Sequence, residues 1–217
     1  MIGVIDYGTN NIHSVHTTLR FLGVEHTIAS KPEQLKGAEK IILPGVGAFG
    51  AGMQKLRDGG FEEAIKETVG NGTPILGICL GMQFLFQESE EFGKYTGLGL
   101  ISGEVVRFPV GGPAVPHMGW NQFIVQRQSP LLAGVPADAY AYFVHSFYVK
   151  PADLSDVIAI TDYAVPFASV VSRGNVFGIQ PHPEKSQGVG KRILWNFVNM
   201  TKEDIAQGES LRTGAAS

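Results

Sequence analysis

Cys79 is the only cysteine in the chain, and it stands between two glycines in Gly77-Ile78-Cys79-Leu80-Gly81-Met82-Gln83. The apolar run 73–78 reads as a buried strand and 80–88 as a helix. The cysteine therefore falls on a strand-to-helix turn, in the G-x-C-x-G form of a nucleophile elbow with sulfur in place of the serine oxygen. Such a turn strains the backbone at the nucleophile, and small flanking residues let the chain pass without clashes. A thiol at this place meets the unpaired N–H groups and the positive end of the helix, which favour the thiolate. The same N–H groups, notably that of Leu80, can hold an oxyanion. A lone cysteine is also commonly a small buried core residue, so the nucleophile reading requires a base.

The base is found near the end of the chain. The strand-like run 175–180 leads into Pro181-His182-Pro183-Glu184-Lys185. Gln180 and His182 each precede a proline and are pushed out of the helical region, so the segment reads as extended. In an extended chain residues two apart point the same way. His182 and Glu184 then stand side by side, the carboxylate on one imidazole nitrogen and the other nitrogen facing outward, as base and orienter. An ionised Glu184 favours the imidazolium, which in turn favours the Cys79 thiolate. Alone, the segment is equally an ordinary surface turn; with the elbow it completes a triad of Cys79, His182 and Glu184. His145, in Tyr142-Phe143-Val144-His145-Ser146-Phe147, and His117, before Met118-Gly119-Trp120-Asn121, compete for the base role, and neither has an adjacent carboxylate.

These residues need a scaffold that brings strand ends together. The runs 2–6, 24–28, 40–43 and 73–78 read as strands. Between them Ile12, Val15, Leu19 and Leu22, and later Phe61, Ala64, Ile65 and Val69, fall at helical spacing. From 99 the texture changes to strand-like runs at 99–108, 122–126, 139–150, 157–163, 167–173 and 175–180, separated by Gly, Pro and Asp turns. The expectation is an α/β fold: an open mixed sheet, mainly parallel and flanked by helices, with antiparallel strands added in the second half. The segment 88–95 reads as a polar, exposed connection and 187–200 as a final helix. One domain is expected over 1–200, with 201–217 a frayed tail.

The third strand runs into Pro44-Gly45-Val46-Gly47-Ala48-Phe49-Gly50, where Gly45, Gly47 and Gly50 match the G-x-G-x-x-G dinucleotide fingerprint. That fingerprint needs an acid at the end of the following strand. The next acids, Glu62 and Glu63, start a helix instead, and the next strand ends at Cys79, so a nicotinamide site is rejected. The glycines offer exposed backbone N–H groups facing Cys79, a second half for an oxyanion hole. His13 and His16 lie three apart on one helix but have no accompanying ligand cluster, and read as surface or packing histidines rather than metal ligands.

Composition excludes several function classes. With 17 Lys and Arg against 20 Asp and Glu, a formal net charge of −3 and no basic block, the chain has no nucleic-acid footprint. A single cysteine excludes an internal disulfide framework and fits a reducing compartment, so a cytoplasmic location is expected. No apolar run reaches membrane-spanning length, and the N-terminal run has no basic flank, so it reads as a strand and not a signal peptide.

G-I-C-L-G-M-Q with a distant H-P-E resembles the class I glutamine amidotransferases. The resemblance spans about 2–200 and implies a flavodoxin-like sheet and a glutaminase reaction. In it, Cys79 attacks the side-chain amide of glutamine, His182 passes the proton to the leaving ammonia, Glu184 orients it, and a glutamyl thioester is hydrolysed. The oxyanion is held by the Leu80 N–H and by the Gly45-Val46-Gly47 loop, while Gln83, His145, Ser146 and Phe147 contact the substrate. No metal or organic cofactor is implied. The partner implied is a (β/α)8-barrel cyclase that takes up the ammonia as the second half of a heterodimer, with Met118, Trp120, Tyr142 and Lys185 at or near the interface. Asn10 stands where the family usually has glycine. The glutaminase subunit of another class I amidotransferase, a non-catalytic partner-binding subunit and a free-standing hydrolase are the alternatives on this scaffold.

Overall fold

Short apolar runs dictate the centre of the molecule, seen in a computed structural model that describes residues 1–8 and 11–214. Strand β1 (Ile2–Ile5) is buried along its length and pairs in parallel with β2 (His26–Ala29) and β3 (Lys40–Gly45). Helix α1 (Ile12–Phe21) returns the chain between them, burying Val15, Thr18 and Leu19. Helices α2 (Phe49–Asp58) and α3 (Phe61–Gly70) lead to β4 (Ile75–Cys79), also fully buried and parallel to β3. Continuous apolar strands of this kind suit a parallel sheet covered on both faces. The register sets Gly45 opposite Cys79, so both loops leave the same edge of the sheet.

The second half extends the sheet. Its strands are β5 (Glu88–Ser89), β6 (Tyr95–Thr96), β7 (Gly103–Arg107), β8 (His117–Gln122), β9 (Ile124–Val125), β10 (Tyr140–His145), β11 (Phe147–Pro151), β12 (Val157–Tyr163), β13 (Val165–Arg173) and β14 (Val176–Ile179). The main path is β2-β1-β3-β4-β14-β13-β11-β7-β5-β6, with β12 on β13 and β9 on β12. Pairs from β13 to β7 are antiparallel, the mixed architecture expected. The decisive placement is β14, which lies parallel to β4 with Gly178 opposite Gly77 and Ile179 opposite Ile78. The last strand of the chain thereby delivers 180–186 beside the elbow.

Several expectations are corrected. The helix expected over 80–88 is a short one, α4 (Leu80–Phe84), because Leu98, Leu100 and Ile101 donate to the Phe84 and Leu85 carbonyls and take over the acceptors a longer helix would use. The connection 88–95 is not simply exposed: β5 and β6 pair within it, and Glu91 folds inward to accept from the Phe49 N–H at 2.6 Å. The single run 139–150 divides at Ser146. Its even alternation of buried side chains continues through that point, but β10 pairs with β8 in a separate two-stranded ribbon while β11 joins the main sheet. The final helix α5 (Gln187–Asn199) is present. The segment after it, expected to fray, forms α6 (Lys202–Thr213) behind a Thr201 capping box. No apolar stripe announces α6: beside Ile205, which packs against the core, it docks through polar contacts, Arg212 reaching Asp153, Ser155, Asp156 and Glu209, and Glu209 accepting from the Gly174 N–H. Asn10 and 215–217 lie outside the described residues. No helix among those described is long and apolar enough to cross a membrane.

Candidate active site

Cys79 ends β4 and caps the N-terminus of α4 with φ 53° and ψ −110°, a backbone that side-chain-bearing residues rarely adopt. The flanking glycines make the turn possible. A β-carbon on Gly81 would overlap the Leu43 carbonyl, and one on Gly77 would lie 2.5 Å from the Gly81 oxygen. As the first residue of α4, Leu80 presents one of the N–H groups that a helix leaves unpaired. The elbow read from the glycine spacing is thus the geometry found.

His182 and Glu184 come together by a route that differs from the expected extended chain. His182 itself is extended (φ −94°, ψ 98°), but Pro183–Lys185 is a turn of 3-10 helix, and it is this turn that folds the carboxylate back. His182 Nδ1 lies 2.7 Å from Glu184 Oε1, and the same oxygen accepts from Asn11 Nδ2 at 2.8 Å. The backbone is pinned from both sides: the His182 N–H donates to the Tyr142 carbonyl (2.8 Å) and the Ser186 hydroxyl to the His182 carbonyl (2.6 Å). Since Nδ1–H serves Glu184, Nε2 is the nitrogen left to face Cys79. Burial opposes a charge on His182, but Cys79 and Glu184 outweigh it and push the imidazole up to about 10. Burial likewise opposes ionisation of Glu184, yet His182 and Asn11 hold its carboxyl below the usual range.

A cavity of about 190 Å³ opens at this edge of the sheet. Val46, Gly47, Cys79, Leu80, Gln83, His145, Ser146, Phe147 and His182 all line it, along with Val144 and Glu91. Gly45 stands one layer back, where a β-carbon would come 2.8 Å from the Gly81 nitrogen. Gly47, at φ +98°, bends the loop past the elbow. A larger cavity of about 750 Å³ lies between α5, α6 and the 125–137 segment, but its lining, with Trp195, Met200 and Leu211, has neither cysteine nor histidine. Cys79 and His182 both face the smaller one.

The other two buried histidines, His145 on the cavity wall and His117 behind it, contact each other. His145 Nδ1 faces the Phe147 carbonyl at 2.8 Å, so that nitrogen carries the proton and Nε2 accepts from His117 Nδ1 at 3.1 Å. Burial drives His145 down to about 3 and His117 to about 4, so both rings are neutral. On the outer face of the β8–β10 ribbon, Trp120 and Tyr142 pair across the strands with ring centroids 6.0 Å apart, and Lys185 Nζ lies 5.8 Å from the Tyr142 ring. Met118 is 62 % and Trp120 46 % exposed there. His16 pairs with His26 at 2.8 Å, and no group of three or more potential metal ligands occurs among the described residues.

Asn11, Glu91 and Gln180 were not found by sequence reasoning. Asn11 caps the start of α1, Glu91 sits in a polar connection, and Gln180 follows β14; each reaches the site only through tertiary structure, and none carries a local signal.

Comparison with known proteins gives one consistent answer. The model of the family "Glutamine amidotransferase class-I" matches residues 3–200. The chain is 51% identical to "Imidazole glycerol phosphate synthase subunit HisH" of Geobacillus kaustophilus over 92% of this chain and 97% of that one. It is 46% identical to the protein of the same name from Wolinella succinogenes, over 91% and 98%. Among solved structures it is similar in fold to a glutamine amidotransferase (TM-score 0.72, 21% identity, 91% of this chain and 96% of that one) and to PurLQS from Thermotoga maritima (0.74, 23%, 91% and 97%).

Proposed function

Given that the chain belongs to the class-I glutamine amidotransferase family, we propose that it is the glutaminase subunit of an imidazole glycerol phosphate synthase in histidine biosynthesis. The observation that carries the reading is a single juxtaposition. A cysteine in a strained turn at a helix N-terminus shares one cavity with a buried histidine whose far nitrogen is held by a carboxylate. The relatives at 46–51% identity supply the name of the synthase.

In this reading Cys79 is the nucleophile, His182 the acid and base, and Glu184 the orienter. The Cys79 thiolate attacks the amide carbon of glutamine; the C–S bond forms and the carbonyl electrons move to oxygen. The Leu80 N–H and the Gly45-Val46-Gly47 loop receive that oxyanion. The His182 imidazolium gives its Nε2 proton to the amide nitrogen, the C–N bond breaks, and ammonia leaves. His182, now neutral, takes a proton from water attacking the thioester, and glutamate departs with Cys79 restored. Gln83, His145, Ser146 and Phe147 form the substrate wall. Glu91, a carboxylate on the same cavity, suits the ammonium of the amino acid.

Ammonia that escapes to water becomes ammonium and is lost to nucleophilic chemistry. A partner is therefore inferred: a (β/α)8-barrel cyclase docked on the face of Met118, Trp120, Tyr142 and Lys185, the pair working as a cytoplasmic heterodimer. The ammonia then passes to the cyclase, whose lyase reaction yields imidazole glycerol phosphate and aminoimidazole carboxamide ribonucleotide. The test is glutamate release by the purified chain, alone and with a matched cyclase carrying its nucleotide ligand, with Cys79→Ala as control. Low release alone and a large rise with the liganded partner support the proposal. High release that ignores the partner identifies a free-standing hydrolase, and release that survives Cys79→Ala removes the triad.

A further inference from the structure

We propose that Gln180 is a positioning residue for the nucleophile: its side-chain amide donates a hydrogen bond to the Cys79 sulfur and holds the thiolate in the cavity. The inference rests on the reading of Cys79 as nucleophile. Gln180 is completely buried, directly before the Pro181-His182 segment, with its backbone N–H fixed on the Ser169 carbonyl at 2.9 Å. Its Nε2 lies 3.7 Å from Cys79 Sγ, within reach for a bond to sulfur.

Which end of the amide faces the sulfur follows from its neighbours. The Phe147 carbonyl can only accept, so the Gln83 atom 3.0 Å from it is Nε2. The Gln180 atom 3.3 Å from that nitrogen is then Oε1, since two amide nitrogens would set donor against donor. The Gln180 nitrogen is left for Cys79. Phe147, Gln83 and Gln180 thus form a chain that ends at the sulfur, and no step of it can be reversed without leaving a buried donor unpaired.

The chemistry gives the contact a sign. The Val144 carbonyl lies 4.0 Å from Sγ and can serve only a protonated thiol. Gln180 is the neutral donor opposite, and a donor favours the thiolate. Removing it leaves the sulfur with His182 and the Val144 carbonyl, one donor fewer, and shifts the balance toward the thiol. His182, His145 and Glu91 are the titratable groups on the same cavity, and all remain in the variants below.

Because the chain has one cysteine, alkylation by iodoacetamide reads Cys79 alone. Its rate is followed against pH on the full chain, without glutamine or partner, with mass spectrometry to count adducts. Gln180→Met keeps an unbranched side chain and removes the donor. It is expected to raise the midpoint by about one pH unit, roughly a tenfold loss of thiolate below the midpoint. Gln180→Glu sets a carboxylate beside the sulfur and is expected to raise it further. A merely structural role would change the rate at every pH and leave the midpoint alone; a wild-type midpoint in Gln180→Met overturns the proposal. If that variant does not fold, Gln83→Leu leaves Gln180 in place but frees its amide to turn. A smaller upward shift then supports the proposal and an unmoved midpoint overturns it. No glutamine is hydrolysed in this assay, so its failure is distinct from failure of the glutaminase reading, which the release assay decides.

Discussion

Glu184 Oε1 and His182 Nδ1 lie 2.7 Å apart with side chains 0% and 1% exposed. A contact so fully removed from water fixes both the ring plane and the tautomer of the histidine. Glu184→Gln preserves the shape and removes the charge. We expect kcat for partner-activated glutamine hydrolysis to fall by about 10²- to 10⁴-fold with KM little changed, measured by steady-state glutamate production. An unchanged kcat would remove Glu184 from the mechanism.

The charge on His182 depends on Cys79 as well as on Glu184. Burial works against it, and the sulfur and the carboxylate together carry it to about 10. In Cys79→Ala the burial remains and one of the two supports is gone. The His182 imidazole signals in an NMR titration are therefore expected to move their midpoint downward in that variant. A midpoint that stays at its wild-type value would show that the two side chains do not interact.

The pair of neutral histidines behind the cavity makes the fold sensitive to acid. In the unfolded chain each protonates near 6.5, while in the fold burial holds His117 near 4 and His145 near 3. Their contribution is present above 6.5, where both states are neutral. It is lost as pH falls toward the folded values, because only the unfolded state takes up protons. The loss is at most about 1.4 kcal/mol per pH unit for each ring. Denaturant midpoints measured from pH 7 to 4.5 should fall more steeply in the wild type than in His117→Gln, which is less stable at neutral pH but carries one fewer titrating ring. Parallel slopes would contradict this.

Arg212 ties the end of the chain to the body of the sheet. It bonds Glu209 on its own helix and reaches Asp153 and the fully buried Asp156 at 3.3 and 3.2 Å. Arg212→Ala leaves Asp156 with Arg173 at 3.7 Å as its remaining ion-pair partner. We expect a loss of about 1–3 kcal/mol in urea unfolding. Arg212→Lys should recover only part of it, since a lysine cannot span several acceptors with a planar fork. Full stability in Arg212→Ala would mean that α6 is held by other contacts.

What could be read from the sequence follows the range of the physics involved. The elbow is local: Gly77 and Gly81 are required by clashes within a few residues of Cys79, and their spacing is visible. The His182–Glu184 pair was legible for the same reason, although the turn that makes it is 3-10 rather than extended. The parallel half of the sheet followed from apolar runs and helical spacing. The rest is set at long range. The break at Ser146 leaves the alternation of buried residues intact and is decided by which strand each half meets. Helix α6 has no apolar stripe to betray it, and Asn11, Glu91 and Gln180 come to the site from positions whose local sequence says only loop or strand end.

The β8–β10 ribbon has a mechanical consequence. Trp120 stands opposite Tyr142 in its register, the Tyr142 carbonyl holds the His182 N–H, and the Tyr142 N–H holds the Ser186 hydroxyl at 2.9 Å. A strand pair is stiff along its length, and here it is bolted to the histidine segment at two points with no loop between them to absorb a displacement. The outer face that carries Trp120 and the segment that carries His182 thus share one strand residue, Tyr142, with two hydrogen bonds between them.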